Sequence, residues 1–329
     1  MKTRVHQPTP ATLRRLGAAL RRGELVAMPT ETVYGLAANA LDARACRKIF
    51  TAKRRPANDP LIVHVTSVRA AEELAEWNDV ARALARRFWP GPLTLVLPKR
   101  ACVPALVTSR QDTVALRAPS HPLARRLLRE ARVPLAAPSA NPFGYVSPTT
   151  AAHVLDGLEG RIPHVLDGGP CTVGVESTIV DATDPRRLAI LRPGALGAAE
   201  LRAALRAAGF NTTSVTTKRR AAVLAPGLLE QHYSPHTPLR LVARAPQTAT
   251  AGVARIFWQR PAGMKRAAGV FALTRRGDAE DAARNLYAVL RAADAGGFAA
   301  LICEKAPVSA GALGDAIQDR LKRAAAKRR

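Results

Sequence analysis

Residues 53 to 64 read Lys-Arg-Arg-Pro-Ala-Asn-Asp-Pro-Leu-Ile-Val-His. A cluster of fixed cations stands directly ahead of an alternating strand that carries one polar residue, His64. In an extended segment Lys53 and Arg55 project to one side and Arg54 to the other. That pair suits the grip of a phosphate chain. Taken alone, the run fits a solvated loop or a nucleic-acid patch better than an active site, so its neighbours decide.

Three loops share a design in which small hydroxyl residues with Pro or Gly follow a strand and leave backbone amides free for a ligand, and a fourth adds a fixed cation at a strand end. They are Thr30-Glu-Thr-Val-Tyr-Gly35, Pro138-Ser-Ala-Asn-Pro142, Gly174-Val-Glu-Ser-Thr178 and Arg192-Pro-Gly194. Each alone is an ordinary turn; four beside a basic run point to a pocket. Glycine-rich phosphate turns do not account for it. Gly169 to Gly174 continues Val-Glu where a P-loop needs Lys-Ser/Thr, and no Gly-x-Gly-x-x-Gly occurs. Any ATP is therefore expected on scattered cations and loop amides.

The elements that must position these loops alternate between helical and strand periods. Leu13, Leu16 and Leu20 form a helical face, and 24–28 reads as a strand. The pattern continues with helices over 42–52 (begun by Asp42), 79–88, 121–131, 148–156 and 198–208. Strands are expected over 61–66, 93–98, 113–118, 134–138, 164–167, 176–182 and 188–191. The first unit closes at Gly209. Residues 210–238 break the pattern with Asn-Thr-Thr-Ser, a basic trio at 218–220 and Pro226, Gly227, Pro235 and Pro238, which reads as a linker or ordered crossing loop. Beyond it, strands over 239–243, 269–273 and 298–303 alternate with helices, the clearest presenting Leu286, Val289, Leu290 and Ala293 on one face.

The chain has 329 residues, 47% of them hydrophobic, enough for two α/β domains with real cores. No stretch approaches the ~18 apolar residues of a membrane span, and no signal peptide is evident, so a cytoplasmic location is expected. Cys46, Cys102, Cys171 and Cys303 fit no paired metal-ligand spacing and read as reduced, mostly buried thiols. The net charge of +25 favours anionic partners such as nucleotides or RNA. The cationic excess is 15 before residue 238 and 10 after it, so it is not confined to one arm. Arg320 to Arg329 holds six cations and no acid, and reads as a frayed, solvated helix end.

The ordered motifs Pro29-Thr-Glu-Thr-Val-Tyr-Gly-Leu36, Lys-x-Arg-Pro at 53–56, Ser-x-Asn at 139–141, Gly-Val-Glu-Ser-Thr-Ile-Val at 174–180 and Leu-Arg-Pro-Gly at 191–194 resemble the YrdC-like threonylcarbamoyl-AMP synthases. Pro226-Gly, His232-Tyr-Ser-Pro235 and Leu313-Gly-Asp-Ala-Ile-Gln-Asp-Arg-Leu321 are similar to the linker and second domain of the long subfamily. The resemblance implies a twisted, mixed, open sheet with helices around a basic concave site over 1–209. A linker crossing the active site over 210–238 and a smaller Rossmann-like domain over 239–329 would follow. The implied reaction joins L-threonine, bicarbonate and ATP into threonylcarbamoyl-AMP and pyrophosphate, for a tRNA threonylcarbamoyl transferase complex downstream.

Carried over by position, Lys53, Arg55, Ser139 and Asn141 surround the reacting centre, with Lys53 and Arg55 stabilising charge on phosphoryl oxygens. Thr32, His64, Arg117, Ala137 and Ser177 match threonine contacts, Arg117 forking onto the carboxylate. Arg55, Asp59, Thr113, Ser139, Ser147, Arg192 and Tyr233 match nucleotide contacts, Tyr233 being the linker aromatic that closes over ATP. Read without the resemblance, His64 is simply a strand histidine. Magnesium is expected on the triphosphate, held by substrate oxygens and water; no protein metal site is expected. Two departures stand out. Asn141 is followed by Pro-Phe-Gly where a Ser-Gly pair after one variable residue is commoner, and Glu230-Gln231 precedes His232 where a Tyr-Arg pair is usual.

Two other readings use the same charge. A protein of this fold could hold duplex RNA or tRNA on its basic concavity without chemistry, although RNA readers usually display aromatics and this chain is only 4% aromatic. A carbamoyl phosphate transferase would use the cations without ATP.

Overall fold

The computed structural model describes residues 2–217, 232–265 and 267–326. Among them the first region carries strands β1 (Arg4–His6), β2 (Val26–Met28), β3 (Gly35–Asn39), β4 (Ile62–His64), β5 (Leu93–Pro98), β6 (Thr113–Arg117), β7 (Leu135–Ala136), β8 (His164–Leu166), β9 (Thr178–Asp181), β10 (Arg187–Arg192) and β11 (Ser214–Thr216). Its helices are α1 (Pro10–Arg21), α2 (Ala43–Lys53), α3 (Val68–Glu72), α4 (Asp79–Phe88), α5 (Pro122–Ala131), α6 (Ala151–Leu158) and α7 (Ala198–Ala207). The strands form one mixed sheet in the order β1-β8-β2-β3-β7-β4-β6-β5-β9-β10-β11.

Central strands read as apolar runs because helices cover them; Leu93, Leu95, Val96 and Leu97 of β5 are all inaccessible to solvent. Fully burying a side chain of that size contributes roughly 1.5–3 kcal/mol. Strand β4 lies between β7 and β6, with His64 opposite Leu135 on one side and Arg117 on the other. That register puts the polar residue of one strand beside the cation of the next.

The end of α2 corrects the expected geometry of the basic run. Asp42 caps the helix by accepting from the Arg44 N–H at 2.8 Å, and the helix continues through Lys53. Arg54 then stops it in the left-handed conformation, with φ +53°. Lys53 and Arg55 are both buried and Arg54 is exposed, as expected, but a helix stop separates them, not strand alternation. The first unit also runs past Gly209, because β11 pairs in parallel with β10.

The second region has four parallel strands, β12 (Leu239–Val242), β13 (Val253–Gln259), β14 (Val270–Thr274) and β15 (Ala300–Glu304), in the order β12-β15-β13-β14. Helices α8 (Ala279–Asp294) and α9 (Gly311–Ala324) pack against it. The sequence pattern missed β13 although it is the longest strand in this sheet. Leu286, Tyr287, Leu290, Ile317 and Leu321 of these helices share one core with Val33, Val146 and Val175 of the first region. The two regions therefore meet over an apolar surface. The tail corrects a second expectation, since Arg320 and Arg323 are buried within α9, not frayed into solvent. Their partners lie across the interface and within the helix.

The basic trio at 218–220, Pro226, Gly227 and Glu230-Gln231 lie outside the described residues. Of the described residues, no helix is long and apolar enough to cross a membrane. Cys46, Cys171 and Cys303 are buried free thiols, and Cys102 is exposed.

Candidate active site

One cavity collects most of the expected residues. Its wall includes Thr32, Arg55, His64, Arg117, Ala137, Ser139, Arg192 and Tyr233. Thr30, Gly35, Pro138, Glu176 and His232 complete the polar and backbone lining that matters below. Sheet order explains the convergence: β3, β7, β4 and β6 are neighbours, and the loops at their ends face the same hollow. Arg192 comes from the end of β10 and Tyr233 from the linker.

Lys53, Asp59, Asn141, Ser147 and Ser177 stand immediately behind this wall, all buried. The Lys53 ammonium donates to the backbone carbonyls of Ser139 and Asn141, so the helix end and the Ser-x-Asn loop are tied together. Burial and the nearby Arg55 charge push the Lys53 amine well below its ordinary value. Arg55 donates to the backbone carbonyls of Asp59 and Pro60 at 3.1 and 2.8 Å and pairs with the Asp59 carboxylate at 2.9 Å. Burial raises Asp59 against that pairing. Thr113 does not line the cavity: it begins β6, the strand that Arg117 ends, and sits opposite Pro98.

Arg117 is held from three sides. Its guanidinium donates to Thr32 Oγ1 at 2.9 Å and to the Gly91 carbonyl at 3.3 Å, and lies 2.8 Å from a Glu31 carboxylate oxygen. Burial alone would raise Glu31, but Arg117 outweighs it and the carboxyl is held below its usual range. Burial, reinforced by Arg117, drives the His64 imidazole down to about 3, so the ring is neutral at physiological pH. A neutral ring can give or take a hydrogen bond without adding charge.

On the opposite wall Arg192 donates to the Ser177 carbonyl at 3.1–3.2 Å and to Ser177 Oγ at 3.1 Å, while Ser177 Oγ also meets Thr94 Oγ1 at 2.7 Å. Gly194 makes this approach feasible: a Cβ there would lie 2.3 Å from the Thr178 nitrogen and 2.7 Å from the Ser177 carbonyl carbon. Ser147 Oγ donates to Glu176 at 2.6 Å. Burial works against ionisation of Glu176, yet Arg320, Arg192 and these hydrogen bonds hold its carboxyl at about 2.

His232 and Tyr233 line the hollow, which leaves about 40 Å³ for the centre of a water-sized sphere. That is room for a few waters and not for a nucleotide. Tyr233 adopts φ +63°, a costly conformation for a bulky residue and one typical of functional positions. It stacks on Tyr287 of α8, ring centroids 5.8 Å apart. Phe143, the first sequence departure, meets the His232 ring edge-on at 6.1 Å, so the unusual residue packs against the linker. Asn141 Nδ2 donates to the Pro142 and Tyr145 carbonyls at 2.7 and 2.8 Å.

Several buried polar atoms have no hydrogen-bond partner among the described residues, including Asn141 Oδ1, His64 Nδ1, His232 Nδ1 and the Tyr233 hydroxyl. Buried polar groups are normally paired, so their concentration around one cavity is the mark of a site built for a polar ligand. No group of three His, Cys, Asp or Glu side chains that could hold a metal occurs among the described residues. The nearby carboxylates Glu31, Asp59 and Glu176 are each turned onto an arginine.

Sequence reasoning overlooked Glu31 and Glu176 as individuals although both lie inside quoted motifs. A carboxylate in a segment otherwise suited to a polyanion was the available signal, because it demands a buried cation nearby. Tyr287, which reaches the site from the second region, carries no such local mark; Arg320 lies in the quoted Leu313–Leu321 motif but reads in sequence as part of a frayed helix end.

Comparison with known proteins agrees over most of the chain. A family model described as telomere recombination matches residues 18–194, and one described as the C-terminal domain of threonylcarbamoyl-AMP synthase matches 197–326. Threonylcarbamoyl-AMP synthases from Pyrococcus abyssi and Bacillus subtilis are 40% and 39% identical, each match covering 94% of this chain and 92% of the relative. The crystal structure of P. abyssi Sua5 complexed with L-threonine superposes with a TM-score of 0.88 at 37% identity, over 98% of both chains. The chain thus belongs to the threonylcarbamoyl-AMP synthase family, in its two-domain, YrdC-like form.

Proposed function

We infer that the protein synthesises L-threonylcarbamoyl-AMP from L-threonine, bicarbonate and ATP, releasing pyrophosphate, for threonylcarbamoyl modification of adenosine in tRNA. The observation that carries the reading is the convergence of Arg55, Arg117 and Arg192 on one cavity, with Lys53 behind it. Loss of water between the threonine amine and bicarbonate gives a carbamate. A carbamate oxygen then forms a bond to the α-phosphorus as the bond to the pyrophosphate oxygen breaks.

In this scheme Thr32, His64, Arg117, Ala137 and Ser177 hold threonine. Its carboxylate approaches Arg117 from the cavity side, while Glu31 and Thr32 keep the guanidinium fixed. Arg55 and Arg192 take the triphosphate, with Asp59, Ser139, Ser147 and Tyr233 completing the nucleotide site. Lys53, Arg55, Ser139 and Asn141 surround the reacting phosphorus. Donors already fixed by burial and by partners stabilise transition-state charge without reorganising, which is where their catalytic value lies. Magnesium enters as part of the substrate, on ATP oxygens, since the neighbouring carboxylates are committed to arginines.

Residues 2–217 form the catalytic domain in this reading, and residues 232–235 act as a lid that withdraws to admit ATP and closes to exclude water. Exclusion protects a carbamate and a mixed anhydride from hydrolysis. Pyrophosphate release with each substrate omitted in turn tests the reading.

A further inference from the structure

Arg320 belongs to α9 of the second domain, yet its side chain ends among the loops of the first. It is completely buried. Nε donates to Glu176 at 2.9 Å and another nitrogen donates to the Pro193 carbonyl at 2.8 Å. The guanidinium carbon lies 5.4 Å from the centre of the Tyr233 ring. One side chain thus touches the 174–178 loop, the 192–194 turn and the lid aromatic. Gly174 permits the domains to come this close. It adopts φ +83°, and a Cβ there would lie 2.4 Å from the backbone of Ala283 and Arg284.

Glu176 poses an electrostatic problem for a nucleotide site. Its carboxylate borders the cavity, where it would repel a triphosphate. The structure answers this with three donors: Ser147 on one oxygen, Tyr287 at 2.7 Å and Arg320 on the other. Charged and titratable groups face Glu176 from several elements, namely Arg320 of α9, whose guanidinium also pairs with Asp319 at 3.1 Å, Tyr287 of α8, Arg192 at the end of β10, and His232 and Tyr233 of the lid. Of these only Arg320 and Arg192 bring positive charge, and Arg320 makes the direct bond.

We propose that Arg320 is a positioning residue for ATP: from the second domain it neutralises Glu176 and fixes the Ser147 hydroxyl and the Arg192–Pro193 turn against the nucleotide. The proposal rests on the synthase reading above. It gives the second domain a direct part in building the nucleotide site. Without Arg320, the carboxylate either repels phosphate or must take up a proton.

The test uses the full chain with Arg320→Met, Arg320→Lys, and the double variant Glu176→Gln/Arg320→Met. Dissociation constants for a non-hydrolysable ATP analogue and for L-threonine are measured by calorimetry, alongside pyrophosphate release. Arg320→Met should weaken analogue binding at least tenfold at pH 8, with threonine affinity changed less than twofold, and part of the loss should return toward pH 5 as Glu176 is protonated. Arg320→Lys, keeping charge but losing the two-pronged contact, should fall between. The double variant, free of the stranded carboxylate, should bind the analogue at least threefold tighter than Arg320→Met. Equal weakening toward both ligands, or a double variant no better than the single, would overturn the proposal. If Arg320→Met does not fold, the lysine and double variants decide it: analogue affinity matching wild type in Arg320→Lys refutes the positioning role. Wild-type protein that binds the analogue but releases no pyrophosphate with threonine sinks the synthase reading alone.

Discussion

The Lys53 ammonium is bonded to the backbone carbonyls of Ser139 and Asn141, which makes the basic helix end and the Ser-x-Asn loop one rigid unit. The cation that sequence suggests would reach for phosphate also shapes the loop that meets it. Arg55 is fixed in the same way by Asp59 and Pro60. Replacing Lys53 or Arg55 by Ala should cost about 2–4 kcal/mol of transition-state stabilisation, the scale of losing one fixed donor. Arg54→Ala, on the exposed helix stop, should remain within about twofold of wild type. The comparison of kcat/KM across the three variants checks this; an Arg54→Ala as impaired as Arg55→Ala contradicts it.

Glu176 predicts acid lability. A free glutamate titrates near 4.5, and the folded protein holds this one at about 2. Protons therefore bind the unfolded chain more readily. The stabilisation is complete above about pH 4.5 and is lost as pH falls toward 2, amounting to about 3 kcal/mol. Glu176→Gln should be less stable at pH 7, where Arg320 keeps Asp319 but loses the charged partner at its Nε, and its stability should fall less between pH 5 and 3. Urea unfolding at several pH values measures both, and identical pH slopes would refute the assignment.

Gly194→Ala places a methyl group into the backbone of residues 177 and 178. Backbone cannot yield as a side-chain tip can. A destabilisation of about 1–3 kcal/mol is expected, as for overpacking elsewhere, together with weaker ATP binding because Arg192 leaves its seat on Ser177. An unchanged urea midpoint would show that the turn relaxes freely.

The lid reading predicts that Tyr233→Ala lowers synthesis while threonine affinity changes little. Cutting the chain after residue 217 keeps β11 paired but uncovers Val33, Val146 and Val175, which the second domain buries. The shortened protein should associate through that apolar patch and synthesise poorly. Full-rate synthesis by a monomeric fragment would contradict both the lid and the role of the second domain.

How far the sequence could be read follows from where the information lies. Strands such as β5 announce themselves by continuous apolar runs, and α2 by Asp42 and its buried face. Strand β3, Gly-Leu-Ala-Ala-Asn, has little β propensity and is imposed by antiparallel pairing with β2 and β7. Motif residues such as Arg55 and Arg192 drew notice because their loops carry local signatures, whereas Arg117 entered only by position in the family resemblance. Arg320 was not legible, because its meaning depends on Glu176, 144 positions away, and only packing of the two domains brings them together. Phe143 likewise reads as a departure until His232 is seen against it.

The most direct test of the account is pyrophosphate release by the purified full-length protein with ATP, magnesium, bicarbonate and L-threonine, each left out in turn. The account predicts release that requires all of them and forms threonylcarbamoyl-AMP in equal amount. Release at the same rate without threonine would contradict it.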